Sequence, residues 1–529
     1  MEGGRVWIIP PLIFLTLFLL IPSAAVMIDA LSGGLGGFLS VLGKGYVVKA
    51  FNFSFTQALL SAALSLLVGY PAGYLVARYE FRGRRALRSL SLVPFAVPSI
   101  VVVVGFTVLY GYASPLVRLI PPLKALGEGF SGVLAAHVFY NAPLVLHVVS
   151  SSLERLDPEL EEAAEVLGDT PFRRFLRVEL PHTLHAVASS FLLVFLYCFT
   201  SFAIPLVIGG VSYRTVEVEI YSNYKVYINY RAAASLSLAQ LAVLVTVALL
   251  YSKTALEKTA LIPPGYGEEA RRRGMSGVLR FLAPPYLALL AAFLAAPLVA
   301  TWVSSLIDPY TGRVNLGVLA GLVSGKVDPA LGVPFYLPVL NSLFYSSLGA
   351  LLALGLAFSA EVSGSPRWLV STLTMTPLAV SPAILALGLH RVYREFPLFE
   401  EAGWLLIVSS YAVMALPLAL NVVDVGFSRL PPELVEAAYT LGDDWLDALV
   451  KVKIPLASSA IVSALALSLS VGLGEFTATL LLLKPEYTTM TVAVYKLLGA
   501  RRFQEAALVS SLLTLIDGAL FWAAQRWSK

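Results

Sequence analysis

The hydrophobic positions of this 529-residue chain fall into long, nearly uninterrupted runs separated by short polar stretches. A helix needs about 20 apolar residues to cross the ~30 Å hydrocarbon core of a bilayer. Twelve runs of about that length can be placed, at residues 7–30, 55–77, 90–112, 132–152, 184–209, 232–251, 281–307, 340–362, 368–390, 403–425, 457–483 and 504–527. The pattern predicts an all-α integral membrane protein with about twelve transmembrane helices.

Composition excludes an ordinary soluble domain. Hydrophobic residues make up 58% of the chain, charged residues 13%, and the mean hydropathy is +0.80, whereas charged residues are about 25% of soluble domains. The single cysteine, Cys198, permits no internal disulfide and no cysteine-based metal site. The first apolar run resembles a signal peptide at residues 22–25, but it is longer than a signal core, so we interpret it as a retained helix.

One segment occurs twice. Residues 155–181 return as residues 429–455 at a constant offset of 274, with RLDPELEEAAEVLGD matched by RLPPELVEAAYTLGD. Asp157 suits the N-cap of a short helix, Pro158 its first position, and Gly168 the left-handed residue after its end. Spacing places Leu160, Ala163, Ala164 and Leu167 on one narrow apolar face, repeated as Leu434, Ala437, Ala438 and Leu441.

The duplication divides the chain into two repeats of six predicted helices. We assign residues 1–252 to the first repeat, 253–280 to a polar linker that contains Arg271, Arg272 and Arg273, and 281–529 to the second repeat. With Met1 in the cytoplasm, 22 of the 37 Lys and Arg residues lie in inner segments. By the positive-inside rule, both termini, the linker and both copies of the repeated segment are cytoplasmic.

The repeated segment resembles the EAA motif of ABC importer permeases. The matching residues are Glu162, Ala163, Ala164, Gly168, Val178, Leu180 and Pro181, and again Glu436, Ala437, Ala438, Gly442, Val452, Ile454 and Pro455. In that family the motif forms a cytoplasmic coupling helix that docks on an ATPase subunit. The resemblance implies two copies of an ABC ATPase on the cytoplasmic face and an extracytoplasmic substrate-binding protein. The alternative is a duplicated surface helix without a partner.

Several positions are candidates for a translocation path. Pro94 and Pro98 in the third run match Pro377 and Pro382 in the ninth, and proline either bends a helix near a path or is a tolerated kink. At the 274 offset, Ser201 and Phe202 match Glu475 and Phe476, and Tyr221 matches Tyr495. Glu475 at membrane depth marks either a cation site or an inter-helix hydrogen bond near Gly472 and Gly474.

The sequence contains no apparent catalytic or metal-binding constellation. Its other intramembrane polar candidates, which include the path candidate Asn141, are more typical of hydrogen-bonded packing: His137, Asn141, His147, His390, Asp424 and Asp517. Gly43-Lys44 and Gly325-Lys326 do not fit a phosphate-binding loop. We therefore expect no cofactor on this chain, with Mg-ATP bound by the partner ATPase, and no nucleic-acid partner.

Residues 198–203, 209–210 and 215–221 look like the fused permeases of iron(III) and thiamine importers. That resemblance implies a multi-pass protein of the plasma or inner membrane, surrounded by lipid, that conducts one of these two small substrates. Tyrosines at 221, 224, 227 and 230 suit a docking surface for a binding protein or an interfacial aromatic belt. A twelve-helix secondary transporter remains an alternative, although it would not need the EAA copies.

Overall fold

The computed structural model describes residues 5–112, 114–256, 272–275, 277–308 and 311–527. Two sets of helices follow one another along the chain in matching order. The first set contains α1 (Val6–Leu31), α2 (Gly45–Arg78), α3 (Ser99–Tyr110), α4 (Gly129–Glu154), α5 (Pro158–Val166), α6 (Leu180–Phe199), α7 (Val216–Tyr221) and α8 (Tyr230–Leu256).

The second set contains α9 (Leu279–Leu306), α10 (Leu337–Val362), α11 (Arg367–Leu378), α12 (Pro382–Tyr393), α13 (Trp404–Ser428), α14 (Pro432–Thr440), α15 (Ser458–Gly474), α16 (Thr477–Leu482), α17 (Met490–Gly499) and α18 (Phe503–Trp527). Shorter helical turns connect them: Gly34–Leu42, Arg84–Leu90, Val93–Ala96, Pro115–Leu119, Pro121–Leu126, Pro171–Arg174, Phe175–Glu179, Pro205–Gly209, Ser222–Val226, Gly317–Val323, Pro397–Glu401, Trp445–Ala448, Leu449–Lys453, Ile454–Leu456 and Pro485–Tyr487.

The all-helical membrane fold class is confirmed, but the spans are less regular than twelve straight helices. Within the described ranges, ten helices are long and apolar enough to cross a membrane, or eleven if the pair 445–456 and 458–474, bent by 71°, counts as one span. The prediction of a continuous ninth span at 368–390 is wrong. That segment consists of α11 and α12, each of 12 residues and therefore about 18 Å long.

Prolines explain these breaks. Pro98 is the N-cap of α3 and Pro382 is the first residue of α12, positions where a missing N–H is harmless, and neither can continue the helix before it. Pro94 and Pro377 lie in the helical segments that precede the two breaks. The four prolines thus interrupt the third and ninth spans at corresponding places, which goes further than the predicted bend.

Each repeat packs its first span against the other repeat. At Gly388 in α12, an added Cβ would collide with the carbonyl of Pro22 in α1, and at Gly105 in α3 it would collide with the carbonyl of Pro297 in α9. Arg391 Nε also donates to Asp29 Oδ2 over 2.7 Å. This reciprocal clasp joins the two helix sets, and only glycine permits such close approach of the backbones.

The end of the linker is attached to the first repeat. Its residues Arg273 and Gly274 form strand β2, which pairs in parallel with β1 (Tyr79–Glu80) at the end of α2. Glu154, at the end of α4, lies 4.0 Å from Arg272 and 3.0 Å from Arg88. Linker residues 257–271 and 276, like residues 1–4 and 528–529, lie outside the described ranges, so the repeat boundaries at 252 and 281 stay a prediction.

Candidate functional site

The two EAA loops, residues 155–181 and 429–455, fold alike. In the first, Asp157 caps α5 by accepting from the Glu159 N–H over 2.9 Å, as predicted. Gly168 then adopts φ +84°, and the next N–H, from Asp169, donates to the Ala164 carbonyl over 3.0 Å. In the second loop Gly442 has φ +97°, and Asp443 N–H donates to Ala438 O over 3.1 Å. Both helices therefore end in the same left-handed reversal.

The apolar face of each EAA helix is turned largely to the surroundings. Ala164 and Ala438 are buried against the body of the protein, whereas Leu167 is 85% exposed and Leu441 87% exposed. The other residues assigned to coupling are also exposed: Glu162, Ala163, Gly168, Pro181, Glu436, Ala437, Gly442 and Pro455. The predicted face thus divides, with one alanine packed inward and its leucines left uncovered.

A buried network of charges supports the first EAA loop. Arg78, at the end of α2, pairs with Glu161 and lies 3.8 Å from Glu179. Arg174 pairs with Glu165 and lies 3.3 Å from Glu179. The Glu179 side chain is only 1% exposed, so the network fastens α5 to the segment that leads into α6.

The second EAA loop does not repeat the residues of this network. At the 274 offset, Glu161, Arg174 and Glu179 correspond to Val435, Ala448 and Lys453. A cavity of about 840 Å³ lies beside the loop instead. Its lining includes Lys453, Val435, Glu361, Asp424 and Glu436. The two loops have the same backbone fold, but different side chains lie beneath them. The shared motif alone does not predict this difference.

Four aromatic side chains meet where the repeats adjoin, beyond the ends of α6 and α15 that lie farthest from the EAA loops. The ring centroids of Phe202 and Phe476 are 5.5 Å apart. Phe202 lies 5.5 Å from Tyr221, and Phe476 lies 5.6 Å from Tyr495. We call these residues the aromatic tetrad. Because both phenylalanines and both tyrosines are related by the 274 offset, the tetrad is pseudo-symmetric.

Two carboxyl groups flank the tetrad. Glu475 precedes Phe476, and its carboxylate accepts from the Ala478 N–H over 2.6 Å. Glu217, which the sequence analysis did not single out, accepts from the Ala383 N–H over 3.2 Å and from Gln240. Glu217 lies on α7 four residues before Tyr221, and Glu475 is the residue before Phe476. The sequence signal for Glu217 is an acidic residue between the apolar residues Val216 and Val218.

The remaining path candidates connect to this region by different routes. Asn141 donates to the His137 carbonyl over 2.9 Å, and the His137 ring lies 2.9 Å from Ser201 Oγ and 3.1 Å from Ser61 Oγ. His137 therefore is a packed, hydrogen-bonded residue. Pro98 lies beside Gly474, and Pro382 precedes the residue that contacts Glu217. The structure does not bring Pro94 or Pro377 into these described contacts.

The row of tyrosines does not form one surface. Tyr221 belongs to the tetrad, and Tyr224 is buried against Tyr230 and His390, whereas Tyr227 is exposed. Within the part of the chain that the structure describes, no group of three His, Cys, Asp or Glu side chains could hold a metal ion. The groups available for binding are therefore aromatic rings, buried carboxyl groups and the side chains of two exposed helical loops.

Comparison with known proteins adds the following matches. The family model described as "Binding-protein-dependent transport system inner membrane component" matches residues 69–313 and 346–528. The thiamine transport system permease protein ThiP of Haemophilus influenzae is 26% identical over 490 residues, which cover 90% of this chain and 88% of the relative. ThiP of Escherichia coli is 25% identical, with 98% and 96% covered. The sulfate transport system permease protein CysW of Synechococcus elongatus is 30% identical over 252 residues, with 46% and 87% covered.

Proposed function

Since the chain belongs to the family of binding-protein-dependent transport system inner membrane components, we propose that it is the permease of an ATP-driven importer for thiamine. The family is one of ABC importer permeases, which transport and are not enzymes. In this proposal two copies of a separate ABC ATPase bind the two EAA loops and hydrolyse ATP. A substrate-binding protein delivers thiamine to the opposite face.

The exposed leucines of the EAA loops carry the proposal. Leu167 and Leu441 occupy matching positions and are 85% and 87% exposed, although both lie in polar loops at the same end of the helix sets. Uncovered apolar side chains that recur at matched positions indicate a partner surface. Two such surfaces on one chain fit two identical ATPase subunits arranged about the pseudo-two-fold axis.

Thiamine is favoured by relatives that align along nearly the whole chain. The two ThiP proteins cover at least 90% of this chain, whereas the sulfate permease covers 46%. The resemblance to fused importers left iron(III) and thiamine open, and these full-length relatives support thiamine. Membership of the permease family removes the basis for the alternative of a twelve-helix secondary transporter.

The docking proposal is tested with Leu167→Ser and Leu441→Ser. Removing a leucine from a buried interface loses roughly 1.5–3 kcal/mol, so each variant should bind the ABC ATPase about tenfold or more weakly. Val211→Ser is the matched control, because Val211 is 80% exposed but lies outside the EAA loops. Affinity is measured by titrating labelled ATPase onto the permease in nanodiscs. Unchanged affinity in both leucine variants would contradict docking at these loops.

The substrate proposal is tested in vesicles that contain the permease, the ATPase and the binding protein. Radiolabelled thiamine should accumulate only with ATP, and the loaded binding protein should stimulate ATP hydrolysis. The permease alone should hydrolyse none. ATP-dependent accumulation of another solute, with thiamine neither transported nor competing, would refute the assignment of thiamine but leave the importer architecture intact.

A further inference from the structure

We infer that the aromatic tetrad closes the path between the two repeats and that this closure selects organic cations. The inference rests on the proposed transport function and deepens it, because it gives the permease itself a share in choosing the substrate. The four rings form a continuous series of contacts: Phe202 contacts Tyr221 and Phe476, and Phe476 contacts Tyr495.

Burial shows that the tetrad rings form a seal, which fills the space between the two repeats. Phe202 is 4% exposed and Phe476 is 2% exposed, even though the two come from different repeats and follow the ends of different spans. Their rings are inclined by 35°, and each is inclined more steeply to its tyrosine, by 69° and 56°. Tilted rings at these separations are in favourable contact, so water-filled space does not separate the repeats here.

On each side a threonine hydroxyl holds the backbone next to the tetrad, although Thr215 corresponds to Thr489 and not to Thr491 at the 274 offset. Thr215 Oγ1 donates to the Ser201 carbonyl over 3.0 Å, and Thr491 Oγ1 donates to the Glu475 carbonyl over 2.8 Å. Each threonine thereby fixes the residue immediately before a tetrad phenylalanine. A small relative motion of the two repeats would separate Phe202 from Phe476 without disturbing either side internally.

The carboxyl groups near the tetrad favour a cation over an anion. Glu217 and Glu475 are buried, and no Lys or Arg of the described residues forms an ion pair with either. The faces of aromatic rings attract cations, most effectively where water is excluded. An approaching cation favours the ionised form of a carboxyl group, whereas a doubly negative oxyanion such as sulfate disfavours it.

The same surroundings fit an organic cation better than a bare metal ion. Hard cations such as iron(III) need several oxygen or nitrogen ligands, and the described residues offer no such cluster. A flat, positively charged ring could instead slide between the aromatic faces as they part. Thiamine contains such a ring, a positively charged thiazolium.

The test opens the seal and measures which ions leak. The full chain carrying Phe202→Ala and Phe476→Ala is placed in planar bilayers with a gradient of choline isethionate, a salt of an organic cation and an organic anion of similar size. We expect no leak in the wild type and a leak in the variant that favours choline by about tenfold, because Tyr221, Tyr495 and the two carboxyl groups remain and a desolvated cation–π contact is in this range. Adding Glu475→Gln should move that ratio towards one.

Phe199→Ala is the matched control. Phe199 is also buried and ends the span that Phe202 follows, but its ring stacks on Phe195 and contacts Phe55 within the first repeat. It should produce no leak. Phe476→Leu keeps most of the apolar volume and is the variant to measure if the double variant fails to fold. It should leak less than the double variant, with the same preference for choline over isethionate.

Each remaining outcome overturns the inference. A tetrad variant that inserts correctly without leaking means that the rings do not close the path, and equal permeability or a preference for isethionate means that the closure does not select cations. Neither result depends on thiamine. Conversely, a choline-selective leak beside absent thiamine uptake would reject only the proposed substrate.

Discussion

At the scale of single residues, the two loop glycines are defined by backbone conformation alone. Gly168 and Gly442 have φ values of +84° and +97°, and a Cβ added at either would meet nothing within 4 Å. Space is therefore available, and the restriction is the left-handed conformation, which β-branched residues rarely adopt. Sequence reasoning located both glycines correctly because a helix of this length needs such a stop.

Gly168→Val and Gly442→Val should each weaken coupling while the protein still inserts and folds. The strain is on the order of 1–3 kcal/mol, small beside the burial that holds the spans but comparable to coupling free energies. We expect thiamine uptake in vesicles to fall at least tenfold. Gly168→Asn and Gly442→Asn should retain most of it, since asparagine tolerates this conformation. Equal loss in the valine and asparagine variants would show that φ is not the cause.

The charge network under the first EAA loop should make that loop the more sensitive of the two to neutralisation. Glu179→Gln leaves Arg174 and Arg78 without a full partner, and breaking a buried pair costs about 3–5 kcal/mol. Lys453→Gln, at the corresponding place in the second loop, should change stability by less than about 1 kcal/mol. Thermal unfolding in detergent measures both. Similar losses in the two variants would contradict the asymmetry.

No reasoning from the sequence found this network, because its members are far apart. Arg78 and Glu161 are separated by 83 residues, and Glu161 sits on the side of α5 that periodicity assigns to solvent. The helix pattern fixes which residues share a face, but it does not say which side of a short loop helix rests on the protein. Only the fold shows that Ala164 is buried while Leu167 is exposed.

At the scale of elements, prolines and a salt bridge fix the irregular parts. The sequence identifies the prolines of the third and ninth spans, but it predicts bends rather than breaks because hydropathy continues across them. The sequence pattern gives no prediction for the loop before α10. There Asp328 accepts from Arg502 over 2.6 and 2.8 Å and from the Ala330 and Leu331 N–H groups, which joins this loop to the start of α18.

This loop should stabilise the protein in a pH-dependent way. Burial acts to raise the pKa of Asp328, but the Arg502 guanidinium and the two N–H groups outweigh it, and the pKa is lowered from its ordinary value of 3.8. A depressed pKa gives stability that is present above the unfolded value and lost as pH falls through the folded one. Asp328→Asn should therefore cost roughly 1–2 kcal/mol at pH 7.

The measurement is thermal unfolding of the wild type and Asp328→Asn at pH 7 and near pH 3. The difference between them should shrink at the lower pH. Lys326→Gln, an exposed change in the same loop, is the control and should have little effect at either pH. A difference that persists or grows in acid would mean that the carboxylate is not the source of the stability.

At the scale of the whole molecule, hydropathy and the duplicated motif were sufficient for the fold class and the order of the helices. They could not show which repeat a given span contacts. The clasp between Pro22 and Gly388, and between Pro297 and Gly105, joins residues whose separation along the chain carries no periodic signal. The sequence likewise aligns Phe202 with Phe476, but it does not predict that the two side chains are in contact.

Orientation stays a prediction that cysteine labelling can test. In a Cys198→Ser background, Leu167→Cys and Leu441→Cys should resist impermeant thiol reagents in right-side-out vesicles, because both EAA loops are expected inside. Val211→Cys should react, since it is exposed and lies beyond the far end of α6. Labelling of either loop with protection of position 211 would reverse the assigned topology.

The reciprocal clasp also sets an order of events during synthesis. Gly388 leaves the ribosome 366 residues after its neighbour Pro22, a delay of roughly 20–70 s at ordinary elongation rates. Once α8 has been made, α1 can pack against it, yet α1 still lacks the partner that covers its other side until α12 follows. A chain terminated after residue 252 would keep this side uncovered permanently, and pulse-chase should find it degraded faster than the full chain. Equal half-lives of the truncated and full chains would mean that lipid is an adequate substitute for α12. The first repeat would then be stable in the membrane before the second repeat is synthesised.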